Sequence, residues 1–471
     1  MSDKTTKSSP QDAGKTVPAD GIAARLRAFD VLDLVLEQGR PLDEAFDAAQ
    51  RGKGGKQGPQ SDRDSAHARM MVLTVLRRLG QIDAVLNRFL TRKPAGKGGA
   101  AMTLLRLGAG QILFMETPPH AAGSTALAVA DKRNLAGFKG LVNAVLRKVA
   151  AAAPSVQTQD AARMNMPDWL WKACDGAYGT ATAREIGAAH LVEAPLDLTI
   201  KDGDAAAWAE RLGGAVLPTR SVRLWNAGDV RKLAGYRDGA WWVQDAAAVL
   251  PAKLLISALG DSAGDGGAPK HVGDLCAAPG GKTAQLAAAG LTVTAVDISG
   301  QRLGRVRENL ERLSLQADVV AADALTWRPA GGLLDGVLLD APCSATGTVR
   351  RHPDLPWVKG GLNGPWKRDE LTAMQKSLLL HAVSLVKPGA PVIYATCSLL
   401  PEEGEDIVAA ALAEDSALVA DPIQADEMTF LPDALRADGM VRTLPSFWQQ
   451  KSGNRRGGMD GFFVARLRRR A

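Results

Sequence analysis

Cysteine is scarce in this chain: Cys174, Cys276, Cys343 and Cys397 are the four, and no two stand close together in sequence. That spacing excludes a disulfide framework and leaves no paired-thiol zinc site. The six histidines are scattered without an HExxH-type cluster, so no metal is expected. Long apolar runs are missing too, since none reaches the about 18 residues that a membrane-spanning helix needs. The opening MSDKTTKSSPQDAGKT carries no apolar signal-peptide core, and a cytoplasmic protein with no membrane partner is expected. The dinucleotide fingerprint GxGxxG does not occur. GGKT, ending at Thr283, is not a phosphate loop either: such a loop needs a glycine where this chain has Cys276, and Pro279 interrupts the turn.

At 471 residues the chain exceeds one ordinary domain, and a hydrophobic content of 46% is ample for two or three packed cores. Lys and Arg number 57 against 51 Asp and Glu. The resulting net charge of +6 fits a polyanionic partner, and equally fits a merely basic surface.

Residues 1–20 read as a disordered tail. Over 21–152 apolar residues recur at helical spacing in IAARLRAFDVLDLVLEQG, ARMMVLTVLRRLGQIDAVLNRFL, AMTLLRLGAGQILFM and LAGFKGLVNAVLRKVA. Breaks at RGKGGKQGPQ, PAGKGGA and Pro118-Pro119 predict a bundle of five to seven helices, with Arg77, Arg78, Arg147 and Lys148 on a basic face. Residues 160–240 mix the short strands PLDLTIK and AVLPTRSVRLW with the helix DAAAWAERLGG, a small α+β module. Over 241–471 the strands HVGDL, TVTAVD, DVVAAD, DGVLLD and PVIYAT alternate with helices at KTAQLAAAG, GQRLGRVRENLERL, LTAMQKSLLLHAVSLV and EGEDIVAAALAE. That alternation predicts an α/β fold with a parallel sheet and crossover helices. GFFVARLRRR reads as a last, antiparallel strand with a basic tail, DSAGDGGAP as a loop, and Trp241 and Trp242 as core.

A parallel sheet binds its ligand at the carboxyl ends of its strands. Asp274, Asp297, Asp323 and Asp340 fall at such ends. Asp297, one βα unit beyond the glycine turn, is placed to accept hydrogen bonds from ribose hydroxyls, and Asp323 to lie near an adenine. Gly280 and Gly281 let the backbone approach a ligand closely. Two thiols follow predicted strands in tight motifs, Cys343 in LLDAPCSATGT and Cys397 in VIYATCSLLPEEGE. A thiol facing a bound cofactor suits the alkylation of an unreactive ring carbon. A thiolate adding to carbon 6 of a pyrimidine makes carbon 5 nucleophilic towards the methyl group of S-adenosylmethionine, after which a base removes the carbon 5 proton. Asp340 would donate to the ring if protonated, or accept from the exocyclic amine if ionised.

DLCAAPGGKT, DAPCSATGTVRRHPD, ATCSLLPEEGE and DGFFVARL occur in that order, and over 160–471 the chain resembles the RNA 5-methylcytosine methyltransferases. SDRDSAHARMMVLTVLRRLGQID and FKGLVNAVLRKV resemble the RNA-binding NusB domain. Together they resemble the RsmB-type, or Sun, family acting on small-subunit ribosomal RNA. The resemblance implies an all-α NusB-like bundle, a small α+β RNA-binding and linking module, and a Rossmann-like class I methyltransferase domain. It implies Cys397 as nucleophile and Cys343 as the group assisting proton removal and release, a choice that chemistry alone leaves open. It implies base contacts from Asp340 and Lys282, and S-adenosylmethionine held by Cys276, Ala277, Ala278, Pro279, Gly280, Gly281, Lys282, Asp297, Arg302, Asp323 and Asp340. The implied partner is 16S ribosomal RNA, not DNA, met by a monomer. Arg350, Arg351 and His352 are candidates to hold RNA phosphates, and Arg455, Arg456, Arg466, Arg468, Arg469 and Arg470 add positive charge. Two other readings remain open: a transfer RNA substrate, or an RNA-binding assembly factor with a vestigial catalytic fold.

Overall fold

A computed structural model describes residues 19–51, 62–94, 98–260, 267–360, 368–448 and 457–471. The expected tail up to residue 18, most of RGKGGKQGPQ, the centre of PAGKGGA, the start of DSAGDGGAP, and Arg455 and Arg456 lie outside them. The chain divides into two compact units, Met1–Asp160 and Ala161–Ala471.

The first unit is all helical among its described residues: α1 (Ala19–Leu36), α2 (Leu42–Arg51), α3 (Asp62–Arg77), α4 (Leu79–Asn87), α5 (Gly99–Phe114), α6 (Pro119–Lys132) and α7 (Lys139–Ala152). The long apolar run around Arg77 and Arg78 is two helices, because the chain bends at Arg78. Helix α5 is apolar nearly all round and buried along most of its length, as a central helix must be. Its one arginine, Arg106, is buried because it meets Asp83 through two hydrogen bonds of 2.9 and 2.8 Å. Of the expected basic face, Arg147 and Lys148 are exposed. Arg78 instead lies 5.3 Å over the Phe114 ring.

The second unit starts with α8 (Ala161–Met164) and α9 (Asp168–His190), a long helix that the sequence reading missed. Then come β1 (Leu196–Ile200), α10 (Ala205–Leu212), β2 (Ala215–Val216), β3 (Val222–Leu224) and β4 (Trp241–Val243). The strands form an antiparallel sheet in the order β2-β3-β1-β4. AVLPTRSVRLW is two strands joined by a turn, with Leu217 N–H donating to the Ser221 carbonyl at 2.8 Å. Trp241 and Trp242 are buried, as expected.

The larger sheet follows α11 (Leu250–Leu259), another helix the sequence reading missed. It is built from β5 (His271–Leu275), α12 (Gly281–Ala288), β6 (Thr292–Asp297), α13 (Gly300–Leu313), β7 (Asp318–Ala321), β8 (Gly336–Asp340), α14 (Leu355–Gly360), α15 (Arg368–Ser384), β9 (Pro391–Thr396), α16 (Glu405–Glu414), β10 (Leu418–Ala420), β11 (Val441–Arg442) and β12 (Phe463–Arg469). Strand order is β10-β12-β9-β8-β5-β6-β7, with β11 on β12. The run from β9 to β7 is parallel, and β12 joins antiparallel to β9. Both faces are covered, so these strands are apolar throughout rather than alternating. Val272, Leu338 and Ile393 pack with Leu250, Leu254 and Leu286 of α11 and α12. Leu339, Val392 and Tyr394 pack on the other face with Leu378, Leu379 and Val408 of α15 and α16.

An ionic network joins the two sheets. Asp197 receives two bonds from Arg223, at 2.6 and 2.7 Å, with neither side chain exposed. Arg223 also donates to the Gly458 carbonyl, and Arg350 to that of Gly457. Arg350 and Arg351 both reach Asp245 and Asp460. Burial alone would raise the Asp245 carboxyl, but Arg351 and Arg350 outweigh it and hold it well below the usual carboxylate range. Arg350 and Arg351 are therefore structural cations, not phosphate contacts, which corrects the sequence reading. Of the C-terminal arginines expected to add positive charge, Arg470 is exposed, and three others are tied to neighbours. Arg466 pairs with Asp421 and Glu427, Arg468 with Asp421, and Arg469 donates to the Val386 carbonyl.

Leu338→Ala removes a fully buried side chain from the central strand β8 and should cost about 2–5 kcal/mol of stability. All ten tryptophans, Trp169 to Trp448, belong to the second unit. Urea unfolding followed by tryptophan fluorescence therefore reads this unit, and an unmoved midpoint would contradict the assigned packing.

Candidate active site

Parallel pairing of β8 with β9 sets Asp340 beside Ala395, so the segments leaving the two strands emerge side by side. Ala341 N–H donates to the Ala395 carbonyl at 2.9 Å and prolongs the pairing past the strand end. Cys343 and Cys397 then face each other, Sγ to Sγ, at 3.5 Å. Further ties fix the segments. Gly347 N–H donates to the Cys397 carbonyl at 2.9 Å, and Leu399 N–H to Thr346 Oγ1 at 2.8 Å. From outside the pair, Tyr178 donates to the Leu399 carbonyl and Arg442 to that of Ser398. Gly347 has to be glycine, because a Cβ there would lie 1.9 Å from the Gly461 carbonyl oxygen. That contact brings DGFFVARL up against the thiol loops.

The four thiols are not equivalent. Burial pushes Cys174 up to about 12. Cys276 rises to about 12 through burial and the charges of Asp340, Asp297 and Asp274. Both stay protonated at neutral pH. The hydrogen bond to Cys397, burial, and the charges of Cys397 and Glu403 together push Cys343 well above its ordinary value. The 3.5 Å contact places one thiol proton between the two sulfurs, and either can donate it.

Strand order reverses between β5 and β8, and the crevice there is where an open parallel sheet takes its ligand. Lys282, on α12 after β5, spans it to Asp340, at the end of β8, with Nζ to Oδ2 at 2.7 Å. The ammonium also sits 5.2 Å over the Phe462 ring. Burial would lower the Lys282 pKa, but Asp340 outweighs it, so the net shift is upward. The loop Cys276, Ala277, Ala278, Pro279, Gly280 and Gly281 lies on the same edge. Gly280 has φ 97°, and a Cβ there would come within 3.0 Å of Val306 on α13. Asp297 ends β6 and accepts from Ala278 N–H at 3.2 Å and Ser299 N–H at 2.9 Å. Arg302 donates to the Ala278 carbonyl at 2.8 Å and pairs with Asp297 at 3.4 Å. Asp323, exposed, follows β7 on this edge. Asp274 does not join them: it is fully buried within β5 and accepts from Thr283 Oγ1 at 2.6 Å. Glu403, also fully buried, reaches both thiol loops and was missed, because an acidic run reads as solvated.

The family described as 16S rRNA methyltransferase RsmB/F matches residues 268–468, and the NusB family matches 22–151. The ribosomal RNA small subunit methyltransferase B of Sodalis glossinidius is 35% identical, over 94% of this chain and 97% of its own length. That of Salmonella typhi is 33% identical, over 94% and 98%. The chain belongs to the RsmB/F family of methyltransferases. The crystal structure of PH0851, at 21% identity, shares the fold with a TM-score of 0.74 over 96% of this chain and 99% of that one.

The cofactor of this family is S-adenosylmethionine, and the residues on this edge fit it. No side chain caps α12, so its N-terminus is open to a carboxylate. Asp297 Oδ1 takes one N–H and keeps a lone pair for a hydroxyl, while Oδ2 takes the Ala278 N–H and faces Arg302. Cys276 to Gly281, Asp297, Arg302 and Asp323 would hold it.

Burial pushes the Asp274 carboxyl up to about 7, against the Thr283 hydrogen bond and the Lys282 charge. A carboxyl raised above its unfolded value of roughly 3.9 binds more protons folded than unfolded. Its contribution to stability is therefore full below about pH 4 and lost as pH rises through about 7. Asp274→Asn keeps an acceptor for Thr283 and removes this dependence. Relative to the unaltered protein, the variant should gain stability between about pH 5 and about pH 8 in urea unfolding; a constant difference contradicts the assignment.

Proposed function

We propose that this enzyme methylates carbon 5 of a cytosine in 16S ribosomal RNA through a transient bond between the Cys397 sulfur and carbon 6 of the base. The observation that carries the reading is the 3.5 Å approach of Cys343 and Cys397 in the segments leaving adjacent strands, beside the Lys282–Asp340 pair. The family match and the names of both relatives support the RNA class.

Cys397 attacks as the thiolate, the form in which cysteine is nucleophilic, with the Cys343 sulfur 3.5 Å away. Lys282, kept as an ammonium, donates to the ring and stabilises the negative charge that develops there as the sulfur adds. Asp340, already an acceptor for Lys282, accepts from the exocyclic amine, a donor that uracil lacks. S-adenosylmethionine, when bound, supplies the electrophilic methyl group. Once the Cys397 sulfur is bonded to carbon it no longer carries charge beside Cys343. Two causes of the raised Cys343 pKa then disappear. Cys343 yields its first proton to solvent and takes the proton from carbon 5. The electron pair left behind re-forms the ring double bond and expels Cys397 as thiolate. One proton leaves per turnover, as the net reaction requires.

Residues 21–152, with Arg147 and Lys148 exposed on α7, serve as an RNA-binding domain. Residues 160–243, whose small sheet is closed by β4, link it to the catalytic part, 244–471. One chain supplies both thiols and the cofactor loop, which fits a monomer. Among the described residues no helix is long and apolar enough to cross a membrane.

Cys397→Ala should lower carbon 5 methylation of 16S ribosomal RNA at least about a thousandfold, read with radiolabelled cofactor. Cys343→Ala should instead accumulate a protein–RNA adduct that survives denaturation. Undiminished methylation by the Cys397 variant ends the proposal.

A further inference from the structure

The acidic run after Cys397 splits three ways in space. Glu402 pairs with Arg368 at the surface, and Glu405 pairs with Arg442. Glu403, between them, has no exposed surface and turns inward beneath the two thiol loops. Its Oε1 accepts from Ser344 N–H at 2.9 Å and more weakly from Gln375 Nε2 at 3.4 Å. Its Oε2 accepts from Ser344 Oγ at 2.5 Å and from Ser398 Oγ. Ser344 follows Cys343 and Ser398 follows Cys397, so one carboxylate holds the residue after each thiol. The two serine hydroxyls also meet each other at 3.0 Å.

The carboxylate is itself fixed from behind. Tyr394 Oη donates to the Glu403 carbonyl at 2.9 Å, and Glu403 N–H donates to the Leu400 carbonyl at 3.1 Å. Burying a carboxylate is costly unless several donors meet it. A residue needed only to fill space would not be charged. Two carboxylate oxygens can take the backbone N–H and both hydroxyls at once, which a neutral side chain of this size does poorly.

We propose that Glu403 is the positioning residue that sets the separation of Cys343 and Cys397 by clamping Ser344 and Ser398 to a single carboxylate. It touches neither substrate nor cofactor and acts through the two serines. This inference rests on the proposed roles of the thiols, but its geometric part can be read without methylation. Without the clamp, the loops keep the ties from Gly347 to the Cys397 carbonyl and from Leu399 to Thr346, but the residues directly after the two thiols lose the one carboxylate that holds both. Release, which needs Cys343 aimed at carbon 5 while Cys397 is bonded to carbon 6, suffers most.

The test compares Glu403→Ala and Glu403→Gln with the unaltered full-length protein. Thiol proximity is read by treatment with a diazene oxidant, which takes two electrons and two protons from the pair as the disulfide forms. Mass spectrometry then measures the rate at which the Cys343–Cys397 peptide appears. The rate should fall at least about tenfold in Glu403→Ala, since a disulfide tolerates little displacement of its carbons. Glu403→Gln, which keeps an acceptor, should recover part of it. In the same variants kcat should fall with little change in KM for the cofactor, and a larger share of enzyme should be trapped as the RNA adduct. Where Glu403→Ala does not fold, Ser344→Ala with Ser398→Ala is read in its place. Cross-linking and adduct levels equal to the unaltered protein overturn the positioning role. Slowed cross-linking in the Glu403 variants, with no RNA adduct even in Cys343→Ala, would uphold the clamp and overturn the proposed chemistry instead.

Discussion

Side-by-side parallel pairing of β8 and β9 is the constraint on which the site depends. Two strands in register deliver the chain to the same edge of the sheet at the same height. Whatever follows Asp340 and Thr396 must therefore share one small volume, and here two thiols do. Neither thiol could be held this way on an isolated loop. The strands are immobilised by apolar layers on both faces, and the loops inherit that rigidity through short hydrogen bonds.

Charge is used at two depths. At the crevice, Lys282 and Asp340 stay partly accessible, able to exchange their mutual contact for contacts with a ligand. Deeper, Arg223 and Arg350 with Asp197, Asp245 and Asp460 are shut away from water and, with the partly exposed Arg351, lock the small sheet to the large one. The segment after Cys343 is consequently anchored at both ends, by β8 before it and by this network after it. Breaking one member of such a buried set leaves an uncompensated charge, so these residues hold the architecture rather than tune affinity.

The strands HVGDL, TVTAVD, DGVLLD and PVIYAT were legible because a strand covered on both faces is a short apolar run closed by a turn. Helices α9 and α11 were not. Helix α11 is apolar over most of its surface, and α9 carries a kink at Gly179, so neither shows a clean amphipathic period. The arginines after Cys343 were misread for a related reason. A pair of adjacent cations looks solvated in one dimension, and its partners Asp245 and Asp460 lie about 105–110 residues away in sequence.

What the sequence alone determined was local: the order of strands and helices in the large sheet, the glycine turn, and two thiols each just beyond a strand. Local propensity and motif spacing are properties of neighbours along the chain, so a string of letters carries them. Only the tertiary structure decided which two thiols meet, which acids face the crevice, and which charges are buried. Those outcomes depend on distances between residues far apart in sequence, and electrostatic energy follows distance in space and exposure to water.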